Sequence, residues 1–325
     1  MRQVSIAFQT NKRLAEYGRL AQTAEAYGFH TLTLYNDMLY QPAWLPLLEM
    51  ARHTSRVQIG PMAVNPFTCH PINITGNMAL LDEASNGRAY LGMARGAWLN
   101  FVGVNPTQPI PALRDAIRCV RHLWQQNKAA FASKHFPLAG GDSLRWHIGR
   151  SDIPIVLGSW GEQTIRACLG EITAVKLGGT ANPDMAKWLR EFIGGHTEIV
   201  VGAVTVVDED GQAARQLARR EVALYLPVVA ALDKTIQIEP DLLMQLQAAA
   251  AVFDFDRAAN LISDELLRRF AFAGKPADIV HQTLELFDAG VNRVEFGTPH
   301  GLTATSGLQL LGGKVLPALE INFGA

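Results

Sequence analysis

Apolar residues along the chain fall into short continuous runs, separated by longer stretches in which they recur every three or four positions. The runs predict strands at 4–8 (VSIAF), 31–35 (TLTLY), 57–64 (VQIGPMAV) and 89–94 (AYLGMA). Four more follow at 153–158 (IPIVLG), 172–177 (ITAVKL), 198–207 (EIVVGAVTVV) and 291–296 (VNRVEF). The stretches between them have helical spacing; the first places Leu14, Leu20, Ala21, Ala24 and Tyr27 on one face. Four of these helices end alike, at Gly28, Gly87, Gly170 and Gly290, each shortly before a strand. A glycine there takes the left-handed backbone at little cost and stops the helix.

Strands separated by helices imply parallel pairing through crossovers. Eight such units predict an α/β fold, a (β/α)8 TIM barrel, ahead of a doubly wound open sheet. Two irregularities interrupt the spacing. Residues 128–152 form a polar, glycine-containing insertion before strand 5, and residues 233–270 an extra helical segment before strand 8. No linker or low-complexity tract divides residues 1–325, which are read as a single domain.

Composition narrows the function classes. Charged residues are 18% of the chain, against about 25% in average domains, and the net charge is −1. No global field attracts nucleic acid or an anionic membrane. The scarcity of charge and the apolar stretch Val222–Leu232 predict a homodimer or higher homo-oligomer. Three cysteines without a CxxC spacing predict neither a disulfide framework nor a zinc site. The N-terminus MRQVSIAFQTNKR lacks the apolar run of a signal peptide, and no run has the length of a membrane span. A cytoplasmic protein acting on a small molecule is the expectation.

In a barrel, chemistry sits at the C-terminal ends of the strands. Those ends carry Asn36, Asp37 and Met38; Asn65 to His70; Arg95, Gly96 and Trp98; Gly158 to Gly161; Gly178 to Thr180; and Gly297 to His300. Glycines, hydroxyls and aromatics dominate. There is no carboxylate pair for glycoside chemistry, no HExxH and no His/Asp cluster at metal spacing. This suits a flat conjugated cofactor, with no metal. Gly158, Ser159, Trp160 and Gly161 lead into a helix, as do Gly178, Gly179 and Thr180, so both turns are candidate phosphate sites. Against the first stands Glu162, whose charge would repel an anion. Cys119 and Cys168 lie on apolar faces and read as core, and His70 reads as a helix cap.

The stretch NPFTCHPINITGNMALLDEASNGRAYLGMARGAW, residues 65–98, resembles the bacterial-luciferase-like flavin and deazaflavin oxidoreductases. It is most similar to their coenzyme F-420-dependent branch, the methylenetetrahydromethanopterin reductases. IPIVLGSWGEQTIRACLGEITAVKLGGTANPD and FAGKPADIVHQTLELFDAGVNRVEFGTPHG are similar to the family's phosphate region and closing unit. Two positions depart from its pattern. Met38 stands where a catalytic histidine is usual, and Cys69 where arginine is common.

The resemblance implies a (β/α)8 barrel whose strand ends hold F-420, an 8-hydroxy-5-deazaflavin, or alternatively FMN. Three readings follow: F-420-dependent hydride transfer, an FMN-dependent luciferase-like monooxygenase, or a non-catalytic flavin-binding paralogue. The cofactor set is Asn36, Asp37, Ala63, Val64, Asn65, Gly96, the 158–161 turn and the 178–180 turn. Asp37 contacts ring or substrate, or else caps the helix near Pro42. Arg95 holds an anionic group, His300 donates a proton, and Trp44 and Trp98 wall the substrate space. The resemblance also implies a bulge with a non-proline cis peptide at Ala63–Val64.

Overall fold

The computed structural model describes residues 2–320. Its first half runs β1 (Gln3–Phe8), α1 (Leu14–Tyr27), β2 (Thr31–Tyr35), α2 (Trp44–Arg52), β3 (Gln58–Met62), α3 (Pro71–Ala84), β4 (Leu91–Ala94), α4 (Pro109–Trp124), β5 (Ile155–Gly158) and α5 (Glu162–Cys168). The second half runs β6 (Ala174–Gly178), α6 (Pro183–Ile193), β7 (Glu198–Val207), α7 (Gly211–Val222), α8 (Leu226–Ala230), α9 (Pro240–Ala251), α10 (Phe255–Leu261) and α11 (Asp264–Phe270). It continues with β8 (Ala271–Gly274), α12 (Pro276–Asp288), β9 (Arg293–Gly301) and α13 (Ala304–Leu310). This succession is that of a (β/α)8 barrel, with the insertion before β5 and the extra helices α8 to α11 before β8.

The chain forms two compact units. Residues 1–7, 26–30 and 176–325 make unit one; residues 8–25 and 31–175 make unit two. In unit two, β2 pairs in parallel with β3, from Thr31↔Gln58 to Tyr35↔Met62, and β4 with β5, from Leu91↔Ile155 to Ala94↔Gly158. Isolated bridges Ile59↔Ala89 and Val64↔Met93 tie β3 to β4. In unit one, β1 pairs in parallel with β9, and β7 with both β9 and β8. Strands such as EIVVGAVTVV are buried almost throughout, as parallel strands covered on both faces must be. The unit-one core includes Phe272 edge-on to Phe296 at 5.4 Å.

Several expectations need correction. β8 is a ninth strand, which follows α11 directly with no turn between them, and β9 runs on through Thr298–Pro299, a cis bond, to Gly301. The segment 222–232 is broken: α7 ends at Val222, and Pro227 opens the separate α8. Gly28, Gly87 and Gly290 have positive φ, whereas Gly170 lies inside a 3-10 turn and does not. The 128–152 insertion has no helix or strand beyond the Phe131↔Leu138 bridge. Asp82 anchors its far end through Arg150 at 2.6 Å. Among the described residues, no helix is long and apolar enough to cross a membrane, and no group of three acidic, His or Cys side chains is placed for a metal ion.

Candidate functional site

The C-terminal ends of β2, β3, β4 and β5 all belong to unit two. After β2, Asn36 Oδ1 accepts from the Ala43 amide at 3.1 Å. Asn36 therefore fixes the start of α2, the role sequence offered to Asp37; Ala43, the residue before α2, has no side-chain cap. Asp37 is exposed, and Gln9 Nε2 donates to its Oδ2 at 2.9 Å. Gln9 is itself pinned, because its Oε1 accepts from the Thr10 amide at 2.8 Å. The carboxylate is thus oriented by a fixed neighbour.

The end of β3 is irregular. Pairing stops at Met62, skips Ala63 and resumes at Val64, whose amide donates to Gly92 O at 3.0 Å. The cis peptide joins Met62 to Ala63, one bond earlier than expected; Ala63–Val64 is not among the cis bonds of the described residues. The Met62 thioether lies against two glycines of neighbouring strands. A Cβ on Gly92 would meet its sulfur at 2.6 Å, and one on Gly158 its methyl at 2.8 Å.

Asn65 follows directly. Its Oδ1 accepts from Phe67 N at 3.0 Å, Thr68 N at 3.0 Å and Thr68 Oγ1 at 3.1 Å, which fixes the carboxamide orientation. Asn65 is only 9% exposed, and its Nδ2 has no partner among the described residues. Gly96, at φ +87°, lies beside it; a Cβ there would sit 3.2 Å from Nδ2. Glycine therefore leaves an oriented pair of N–H donors uncovered. Arg95 is exposed, with no partner among the described residues.

The loops around these ends are apolar. Leu39 is 79% exposed, Phe101 68% and Trp98 54%, with Leu39 and Trp98 in left-handed backbone. Trp44 is half-buried at the start of α2. Sequence reasoning missed Leu39 and Phe101; their signal was large apolar side chains inside the loops that follow β2 and β4. His70 caps α3, its Nδ1 accepting from Ile72 N at 3.2 Å, and Cys119 and Cys168 are buried, as read. Burial pushes the Cys69 thiol up, so it stays protonated at neutral pH.

Both glycine turns differ from the phosphate expectation. At Gly158–Gly161, the Gly161 amide already donates to Ser159 Oγ at 3.1 Å, and α5 is only seven residues long. At Gly178–Thr180, in unit one, the Gly179 and Thr180 amides donate to Gly202 O at 2.7 and 3.3 Å. Donors spent on carbonyls and hydroxyls are not available to an anion. His300, also in unit one, is 2% exposed, with Nε2 at 2.9 Å from Ala7 O. It ties β9 to β1, and its ring is enclosed away from solvent.

A family model described as luciferase-like monooxygenase matches residues 2–293. The 5,10-methylenetetrahydromethanopterin reductase of Methanopyrus kandleri is 26% identical over 328 residues, covering 92% of this chain and 93% of the relative. The F-420-dependent glucose-6-phosphate dehydrogenase of Amycolatopsis mediterranei is 24% identical, covering 79% and 77%. The solved coenzyme F-420-dependent tetrahydromethanopterin reductase of M. kandleri superposes with a TM-score of 0.89 at 22% identity, covering 98% and 99% of the two chains; this likeness shows the fold.

Proposed function

Because this chain belongs to the luciferase-like monooxygenase family and is an oxidoreductase, we propose that it transfers a hydride between coenzyme F-420 and a small organic substrate. The name of the A. mediterranei relative, an F-420-dependent dehydrogenase, supports the cofactor. The observation that carries the reading on this chain is the uncovered Asn65 amide beside Gly96, at strand ends where barrels of this kind take their ligands. Two fixed donors fit an acceptor-bearing flat ring. When bound, the deazaflavin supplies the hydride chemistry itself.

The remaining work falls to the chain. Asn65 Nδ2 donates to a ring acceptor, and Gly96 leaves the ring room to approach. Asp37, oriented by Gln9, accepts from a ring or substrate N–H. Arg95 provides a cation for an anionic group of the cofactor. Trp98, Phe101 and Leu39 offer apolar surface that excludes water from the reacting face. Neither Met38 nor the buried His300 delivers a proton. The reading therefore favours a substrate whose hydride exchange needs no protein acid, such as a stabilised cation, over alcohols and sugar hydroxyls.

The second reading, FMN-dependent oxygenation, draws on the family's own description. Turnover assays separate the two. Anaerobic oxidation of reduced F-420 by a cationic imine-type substrate supports hydride transfer. Turnover only with reduced FMN and oxygen overturns it.

A further inference from the structure

The 128–152 insertion leaves the end of α4 and returns to β5, yet its tip reaches the side of unit two where the candidate site lies. Phe131 and Leu138 pair across its base, their amides donating to each other's carbonyls at 3.0 and 3.1 Å. Beyond that pair, the Phe136 ring stands edge-on to His70 at 5.4 Å, and Lys134 Nζ donates to Gln108 Oε1 at 3.1 Å. His70 immediately precedes α3, and Gln108 immediately precedes α4. The tip therefore bridges the loop after β3, which carries Asn65, and the loop after β4, which carries Arg95.

Within the tip, His135 is fixed through its backbone and through its ring. Ser133 Oγ accepts from the His135 and Phe136 amides, each at 3.1 Å, and donates to Asp115 Oδ2 at 2.9 Å. His135 Nδ1 lies 2.8 Å from the same carboxylate oxygen. Asp115, held below its usual value by these hydrogen bonds, is ionised at neutral pH and can only accept. Nδ1 therefore carries the proton, and the neutral ring presents the Nε2 lone pair, which the carboxylate behind it polarises. Nε2 has no partner among the described residues and is not enclosed; the side chain is 18% exposed. The two cations beside this dyad are engaged elsewhere, Arg114 Nη2 at 3.4 Å from Asp115 Oδ1 and Lys134 on Gln108. Ser133, Phe136 and the 131–138 pairing fasten the tip without any use of Nε2.

We infer that His135 is a recognition residue at the rim of the candidate site, its Nε2 accepting from an N–H of the substrate, and that Asp115 is a positioning residue that sets the tautomer and direction of the ring. The inference rests on the hydride-transfer reading for the class of substrate and sharpens it. Among substrates that need no protein acid, it selects flat cations of the imine or amidine type that carry an N–H. A cation whose nitrogens are fully alkylated leaves Nε2 facing a group that cannot donate.

The test compares benzamidinium, a flat cation with N–H donors, with N,N,N′,N′-tetramethylbenzamidinium, which has none. Calorimetric titrations at mildly alkaline pH use the full chain, alone and saturated with F-420. Wild type should bind benzamidinium at least about tenfold more tightly than the tetramethyl cation. H135N keeps a donor toward Asp115 in the place of Nδ1 and removes Nε2. It should lose the preference, while its affinity for the tetramethyl cation and the resistance of 128–141 to proteolysis stay as in wild type. H135Q places an amide oxygen near the position of Nε2 and should restore part of the preference. D115N lets the ring take either tautomer and should narrow the preference; an unchanged preference there removes the positioning role. H135N with the wild-type preference overturns the inference. So does an equal loss of both cations in H135N, the mark of a loosened tip, and so does a wild type that binds neither cation or does not distinguish them. If wild type binds no F-420, yet the chain alone shows the preference and H135N loses it, the cofactor reading fails and the role of His135 stands.

Discussion

Asn65 uses one carboxamide for two purposes, and the two can be separated. Its oxygen closes the 65–68 turn, and on the proposed reading its nitrogen meets the cofactor. Asn65→Asp keeps an acceptor for the turn and removes the donor. F-420 affinity should drop about tenfold, roughly 1.4 kcal/mol, with Tm nearly unchanged, in a fluorescence titration paired with a melt. Asn65→Ala loses both purposes and should lower Tm as well. A second residue-scale prediction concerns His30. Burial first, and then the positive charge of Arg293, lower its pKa from 6.5 to about 4. The native state thus binds this proton less readily than the unfolded chain. Stability from this site is full above about pH 6.5 and is lost as pH falls toward 4. Urea midpoints of wild type and His30→Gln should converge at pH 7 and diverge below pH 6, the variant losing less.

At this scale the sequence was informative where a residue type is tied to a local conformation. Asn65 before Pro66, His70 before Pro71 and the cysteines on apolar faces were all readable. His300 was not, because nothing in its neighbours reveals that Ala7 O, almost three hundred residues away, takes its ring nitrogen. The glycine turns were legible as turns, but whether their amides were free depended on Gly202 and Ser159.

At the scale of elements, β3, β4 and β5 depend on glycines that make room for Met62. A Cβ on Gly92 would lie 2.2 Å from Pro61 O, a backbone atom that cannot swing aside. Gly92→Ala should cost about 1–3 kcal/mol of stability, read as a lower urea midpoint. The 128–152 insertion has its own anchor. Asp115 on α4 accepts from Ser133 Oγ at 2.9 Å and pairs with His135 Nδ1 at 2.8 Å. Burial alone would raise its pKa, but hydrogen bonds from His135, Ser133 and Arg114 outweigh it and hold the carboxyl below its usual value. Asp115→Asn should speed proteolytic cleavage within 128–141 several-fold while α4 itself stays protected. Eight of the nine strands were legible, since each is a short apolar run set off between helical stretches. β8 escaped because AFAG follows α11 directly, with no turn to separate it, whereas the interruption of the 222–232 stretch at Pro227 was visible and does open a separate helix.

For the molecule as a whole, the alternation of strands and helices fixed the barrel class early, and the superposition on a solved reductase agrees with it. The exposed apolar residues Tyr225, Val228, Leu232, Met244, Val252 and Phe253 all fall between residues 225 and 253, in α8, in α9 and beside their ends, where a monomer would leave them in water. Light scattering should therefore give at least twice the 35.5 kDa chain mass at micromolar concentration; a monomer mass contradicts self-association. The central claim, a deazaflavin site built on the ends of β2 to β5, has a more direct test. Purified protein is incubated with equimolar F-420 and FMN, freed of unbound cofactor by gel filtration, and its visible spectrum recorded. The account predicts that F-420 alone is retained, at about one per chain, and that Asn65→Asp retains markedly less. Retention of FMN in its place, or of neither cofactor, contradicts it.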